Sequence, residues 1–458
     1  MAIAIGDTHM SEASPPWRSE LYAILPHHSE PRVLMLPGAA GWSLPHVSLD
    51  KAVWGADVGQ VTKALRRAIG VDITTLRYAS YALSEDTQQI EAVYVLENHS
   101  PAWQAQDGAA WIGRAALANL AVARPEHGAL VAAHLAEAER GQIPELRPPW
   151  ACVGWYEQAA AWTRSELARL GYSLIAPVEQ VKSWGISCIL RTRTASGAVY
   201  FKVASSLPLF AHEPALMRGL SGLYPDHIPA PLSVDEQRRW MLLADFGAVI
   251  GWDAPIEVQE EILRLYGELQ RDTAARVDDL LAIGCLDRRL DRLATQVDPL
   301  LEDTATLAAQ LDAAEIARLR ALAPRLKAIC AELATYAVPH TLVHGDLHLD
   351  NIARPAESYL FFDWTDACVA HPFFDTISIF HAEDPGVQAR LRDSYLGVWA
   401  AYEPIERLLE AWALAKPLCA LHQAVSYQHI VSTLEDTSKP ELASGLPYWL
   451  RKLLQSLE

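Results

Sequence analysis

Cysteine is scarce and scattered. Cys152, Cys188, Cys285, Cys330, Cys368 and Cys419 are the six in 458 residues, and no two stand in Cys-x-x-Cys spacing. This pattern argues against a thiolate zinc site and for reduced thiols over disulfides. Positive charge is also in short supply, with 38 Lys and Arg against 56 Asp and Glu and a formal net charge of −18. Such a surface repels a phosphate backbone and no basic run offsets it locally, so nucleic acid is not an expected partner. No uncharged apolar run approaches the length of a membrane span, so no membrane partner is expected either. The opening MAIAIGDTHMSEASPP has no basic region ahead of its short apolar patch and meets Asp7 early. It does not read as a signal peptide, and the expected compartment is the cytoplasm. What remains is 51% hydrophobic and 21% charged, the composition of a soluble globular protein long enough for two or three folding units.

The stretch richest in chemistry runs from Val343 to Asp375, VHGDLHLDNIARPAESYLFFDWTDACVAHPFFD. An apolar lead-in is followed by His344 and Asp346, then by Asn351 five positions on, and a β-rich run from Tyr359 to Phe362 ends in Asp363. Phosphoryl transfer needs a carboxylate to accept the proton of an attacking hydroxyl and oxygen ligands that hold Mg²⁺ against a nucleotide's phosphates. Asp346 suits the first task; Asn351 and Asp363 suit the second. An irregular loop can direct Asp346 and Asn351 to one point, and a short hairpin can return Asp363 to it. His344 is read as a structural brace, and His348 is given no chemistry.

The wording HGDLHxxN followed by DW resembles the aminoglycoside phosphotransferase and choline kinase group of small-molecule kinases. That resemblance implies an α+β, bilobal protein-kinase-like fold, with a β-rich N-lobe and a helical C-lobe. It also implies ATP or GTP with Mg²⁺ as cofactors and a small-molecule hydroxyl acceptor. In the segment LIAPVEQVKSWGISCILRTRTASGAVYFKVA, Ser183, Gly185 and Ser187 stand where a phosphate-covering loop belongs, and small residues there let backbone N–H groups approach phosphates. Lys202 lies inside an apolar strand and needs a partner for its charge. Glu213, eleven positions on, resembles the acid that aims such a lysine at the α- and β-phosphates. Ala244 and Asp245, at the exit of the next apolar strand, occupy the place of the hinge that receives adenine. Asp245-Phe246-Gly247 spells the protein-kinase metal motif, but it precedes the catalytic loop and is rejected in favour of Asp363. Asp375 is expected to brace the catalytic loop and begin a helix.

Ahead of this, short strands and helices alternate from Pro31 to about Ala138. Val58, Val61, Leu65 and Ile69 repeat at helical spacing, and Gly70 stops that helix. The mixed α/β layout resembles a degenerate Nudix fold, with Trp42-Ser43-Leu44-Pro45-His46 in the place of its turn. Ala64, Arg67 and Ala68 stand where that family's metal-binding glutamates belong, so Mg²⁺ has no ligands there and the hydrolase reading fails.

The domains expected are a Nudix-like accessory domain over 1–146, a connecting helix over 147–172, a kinase-like N-lobe over 173–247 and a helical C-lobe over 248–458. The C-lobe is expected to carry helices over Ile256–Arg271, Leu286–Ala308 and Ala313–Ala337. Acids and aromatics after Pro404, namely Glu406, Glu410, Glu435, Asp436, Trp412, His422 and Tyr427, are candidate acceptor contacts. The function expected is a small-molecule kinase. A second reading is a catalytically silent, nucleotide-binding module acting as a regulatory scaffold.

Overall fold

The computed structural model describes residues 16–105, 108–355, 358–375, 379 and 382–457. These divide into two compact units: residues up to Val203 with Leu434–Glu441 form one, and Ala204–Thr433 with the residues from Leu442 on form the other.

The first unit begins with a four-stranded mixed sheet. Its strands are β1 (Arg18–Ile24), β3 (His46–Leu49), β4 (Ile73–Ser84) and β5 (Gln89–Asn98), in the order β3-β1-β5-β4, with β2 (Arg32–Met35) standing outside it. Only the β1–β5 pairing is parallel, running from Arg18↔Gln89 to Ile24↔Val95. Period-two alternation sorts β1 onto two faces. Leu21, Ala23 and Leu25 share a core with Val61 and Leu65 of α1 (Val58–Ile69). Tyr22 and Ile24 share another with Val131 and Leu135 of the helix Pro125–Arg140. The sheet is thus covered on both faces. Helix α1 buries Val58, Val61, Thr62 and Leu65 and ends at Gly70 in the left-handed region (φ +76), as its periodicity predicts.

The segment after this domain does not divide where the sequence suggests. The expected helix over 147–172 is broken at Gly154 (φ +83), and the helical part, α2 (Trp155–Arg169), packs inside the unit, with Trp155 and Trp162 edge-on to Phe201. Three further strands belong here: β6 (Glu179–Ser183), β7 (Ser187–Thr194) and β8 (Gly197–Ala204), neighbours in that order. Buried Gln180 on β6 explains why these strands join the first unit. Its amide donates to the Thr75 carbonyl at 2.7 Å and accepts from the Thr75 N–H at 2.8 Å and the Thr62 hydroxyl at 3.1 Å.

Leu434–Glu441 joins the unit through charge. Arg147, 8% exposed, forks onto both Glu137 (2.7 and 3.0 Å) and Glu435 (2.6 to 2.9 Å). Glu441 packs over Gly55, and a side chain there would displace its carboxylate. Burial pushes its carboxyl up to about 7, against the pull of a hydrogen bond from Tyr78. An unfolded glutamate titrates at about 4.3. The stability linked to this proton is therefore complete below about 4.3 and is lost as pH rises through about 7. Relative to Glu441→Gln, wild type should melt at a lower temperature at pH 8 than at pH 5. Thermal scans at both pH values check this, and a pH-independent difference would refute it.

The second unit is mainly helical. Ahead of its helices lie α3 (Glu213–Leu223) and the hairpin β9 (Ser233–Asp235) with β10 (Trp240–Ala244). One core joins Leu216, Met217 and Leu220 of α3 to Ile262 and Tyr266 of α4 (Ile256–Thr273) and to Leu342, Phe361 and Trp364 around the catalytic stretch. Two helices expected to be continuous are not. Leu286–Asp287 is extended and pairs with Cys368–Val369, so a helix begins only at Leu290 and ends at Glu302. The stretch 313–337 splits at Leu322, because Pro324 fits a first helical turn and not an interior. No described helix is long and apolar enough to cross a membrane.

Candidate active site

The strand β11 (Thr341–Val343) delivers the chain to His344, Gly345 and Asp346. Three anchors fix this corner. Asp375 accepts the N–H of His344 at 2.6 Å, the N–H of Gly345 at 2.8 Å and the hydroxyl of Tyr266 at 2.5 Å. Gln423 donates to the Gly345 carbonyl at 2.5 Å. His344, fully buried, shares a 2.8 Å hydrogen bond with the Phe362 carbonyl, and burial lowers its pKa to about 4. A neutral imidazole can only donate to a carbonyl, so His344 ties the loop to the residue before Asp363 and acts as a brace. Gly345 has φ +83, and a Cβ there would lie 2.5 Å from the Asp366 carbonyl oxygen. The glycine is required by conformation and by space. Asp375 is a brace as expected; the helix it was to begin lies outside the described residues.

A helical turn, Leu349–Asn351, leads into β12 (Ile352–Ala353), which pairs with β13 (Leu360–Phe361). The pairing continues in a 3.1 Å bond from the Phe362 N–H to the Asn351 carbonyl. The hairpin therefore brings Phe362, the residue before Asp363, beside Asn351. Asn351 Nδ2 donates to the Asp346 carbonyl at 2.9 Å and lies 3.1 Å from His348 Nε2, which turns the amide oxygen away from both partners. His348 Nε2 also lies 3.5 Å from Asp346 Oδ2, and its ring stacks on Trp252 at 5.8 Å. Asp363 is itself in the left-handed region, φ +64. An amide oxygen and a carboxylate are hard donors of the kind Mg²⁺ takes, and two protein ligands leave positions for phosphate oxygens. The donor set fits that ion.

The sequence assigns phosphate handling and adenine binding to a further set of residues. Lys202 is on β8 and only 8% exposed; Glu213 is fully buried at the first turn of α3. The Trp184 ring donates to the Ser187 hydroxyl at 2.6 Å, and the Ser183 N–H donates to the Ala56 carbonyl at 2.9 Å. A Cβ on Gly185 would lie 2.6 Å from Leu434, so packing explains that glycine. Ala244 closes β10, and Asp245 turns its carboxylate onto the Gly247 N–H at 3.0 Å. The Asp-Phe-Gly triplet is a local turn.

Two site residues escaped the sequence reading. Asp366 is buried, and burial followed by the charge of Asp346 pushes its carboxyl up to about 7. Its signal was the second acid of Asp-Trp-Thr-Asp. Thr365 contacts both Asp363 and Glu213. Several of the candidate acceptor contacts after Pro404 have partners within the protein. Glu435 is bound to Arg147, Asp436 to Lys439, and Glu410 to Tyr336 and Arg407. Trp412, His422 and Tyr427 are buried in the helix Ile405–Thr433, whose stretch from Pro417 to Tyr427 is buried on every side, as an apolar helix without a polar face must be.

Residues 201–418 match the model of the phosphotransferase enzyme family. No protein with a curated description matches the chain. Among solved structures, a macrolide 2'-phosphotransferase type I is similar at 14% identity and a TM-score of 0.47, over 64% of this chain and 97% of that one. A choline/ethanolamine kinase family protein from Mesorhizobium loti is 15% identical with a TM-score of 0.44, over 65% and 98%. A spectinomycin phosphotransferase in complex with ADP and spectinomycin is 11% identical with a TM-score of 0.44, over 65% and 98%. The span that matches the phosphotransferase enzyme family, slightly under half of the chain, contains His344, Asp346, Asn351 and Asp363.

Proposed function

We propose that this protein transfers the γ-phosphoryl group of ATP or GTP to a hydroxyl of a small molecule. The observation that carries the reading is the loop geometry: Asp346 sits on a backbone fixed by Asp375 and His344, and the β12–β13 hairpin brings the chain back to Asn351 at Phe362, one residue before Asp363. Asp346 orients the acceptor hydroxyl and accepts its proton as the oxygen attacks the γ-phosphorus and the bond to the β-phosphate oxygen breaks. Asn351 and Asp363 would hold Mg²⁺, which when bound would supply charge neutralisation to the phosphates. Lys202 and Glu213 keep the phosphate-handling roles their sequence positions give them. Catalysis then rests on positioning and electrostatics, with no covalent step on the protein.

A small acceptor is favoured over a protein side chain. Protein kinases lay a peptide on a long segment after the metal-binding aspartate. Here eleven residues separate Asp363 from Asp375, and Cys368–Ala370 within them is a buried strand paired on both sides. The segment between the two aspartates is thus taken up by pairing within the fold and offers no peptide platform of that kind. A screen of ATP consumption across aminoglycosides, amino alcohols, sugars and nucleosides, run with labelled ATP beside generic protein substrates, tests this. Turnover with one small class is expected; labelling of the proteins with no small acceptor found would overturn it.

A further inference from the structure

Thr365 presents one hydroxyl to two carboxylates. Its Oγ1 lies 2.9 Å from Asp363 Oδ1 and 3.1 Å from Glu213 Oε2, and the residue is 8% exposed. A hydroxyl carries a single donor hydrogen, so it serves one ionised carboxylate at a time. The backbone holds the three groups in register. The Ala211 N–H, just ahead of α3, donates to the Thr365 carbonyl at 2.7 Å, so the start of that helix is fastened to the turn after Asp363. Asp363 occupies a backbone region that non-glycine residues rarely adopt, and such a conformation persists only where its surroundings hold it.

We infer that Thr365 is a positioning residue that couples Glu213 to the metal-binding carboxylate Asp363. A cation engaging Glu213 satisfies that carboxylate and releases the Thr365 hydrogen to Asp363 Oδ1. The Asp363 carboxylate is then held by one oxygen and presents the other to the metal. When Glu213 lacks a cation it competes for the same hydrogen, and Asp363 loses its orientation. Phosphate handling and metal binding are thereby linked through one hydroxyl. The residue that does so stands second after the aspartate of Asp-Trp-Thr-Asp, where glycine would provide no such donor.

The inference rests on the nucleotide- and metal-binding reading above, and its test separates the two. ADP affinity is measured by calorimetry on the full chain with Mg²⁺ and in EDTA, and Mn²⁺ binding in the presence of ADP is followed by electron paramagnetic resonance. Thr365→Val keeps the shape and removes the hydrogen; Thr365→Ser keeps the hydrogen. The valine variant should bind ADP about tenfold more weakly with metal, the scale of one hydrogen bond to a charged group. In EDTA it should match wild type, and the serine variant should match wild type in both media. If Thr365→Val does not fold, Thr365→Cys, with a weak S–H donor, takes its place and should show a smaller, metal-dependent loss of about threefold. Equal metal dependence in wild type and the hydroxyl-free variant overturns the inference, as does equal weakening with and without metal. Wild type that binds no nucleotide overturns the proposed function and this inference together.

Discussion

Asp346→Asn should lower turnover by on the order of 10² to 10⁴, the range of a removed general base, while Mg²⁺-ADP affinity stays within about twofold. The substitution exchanges an oxygen for an NH₂ of nearly equal size, so the loop has little reason to move. Its local backbone is secured by bonds that do not use this side chain: Asn351 Nδ2 reaches the Asp346 carbonyl at 2.9 Å, and the two preceding N–H groups are held by Asp375. What is lost is the capacity to accept a proton, since an amide oxygen is far too weak a base. The metal ligands proposed are Asn351 and Asp363, and neither changes. Asp363→Asn should give the complementary result, a loss of the metal-dependent part of nucleotide binding. The check is steady-state turnover with an accepted substrate beside calorimetry with Mg²⁺-ADP. Equal turnover in wild type and Asp346→Asn would remove Asp346 from the chemistry.

The local part of this site was legible in the sequence because the chain itself sets its geometry. Five residues from Asp346 to Asn351 span one turn of loop, and a short hairpin must bring Phe362 back beside Asn351, as the 3.1 Å bond between them shows. The amphipathic helix α1, with its glycine stop, was legible for the same reason. Asp366 was not, because its nearness to Gly345 arises from the return of the chain after the hairpin and leaves no periodic trace. Nor was the grouping of Leu434–Glu441 with the first unit. Glu435 and Glu441 look like solvated acids until Arg147 and Tyr78 are placed beside them. Equally invisible was the pairing of Glu410 with Tyr336, seventy-four residues earlier in the chain. The same blindness to distant partners ran a helix through Leu286–Asp287, which pairs with a strand about eighty residues later in the chain.

Asp375→Ala is expected to be the most disruptive single change in stability, by about 3 kcal/mol or more, and to abolish transfer even in the fraction that remains folded. The carboxylate is 1% exposed and accepts from four groups: the His344 and Gly345 amides, the Tyr266 hydroxyl and, at 3.3 Å, Gln270 Nε2. Burial pushes this carboxyl up to about 7, against those donors, so the measurement belongs at pH 8, where it is ionised. Truncation to alanine strips these donors of a charged acceptor, at a cost of about 1–3 kcal/mol for each buried group left unsatisfied. The His344 N–H has a second partner in the Tyr266 oxygen at 3.0 Å, and Gln270 keeps the Leu342 carbonyl at 3.2 Å. The Gly345 N–H and the Tyr266 hydroxyl hydrogen are the two whose loss sets the estimate. Function suffers separately, because Gly345 is held at φ +83 between Asp375 and Asp366, one residue before the base. A shift of the loop by about 1 Å is enough to cost on the order of 10² in rate. Asp375→Asn should lie between the two, since its oxygen can still accept the Gly345 N–H. Thermal denaturation followed by turnover measured on the folded protein checks the order wild type, Asn, Ala. An alanine variant with full activity and unchanged melting would show that the loop is held by Gln423 and His344 without this carboxylate.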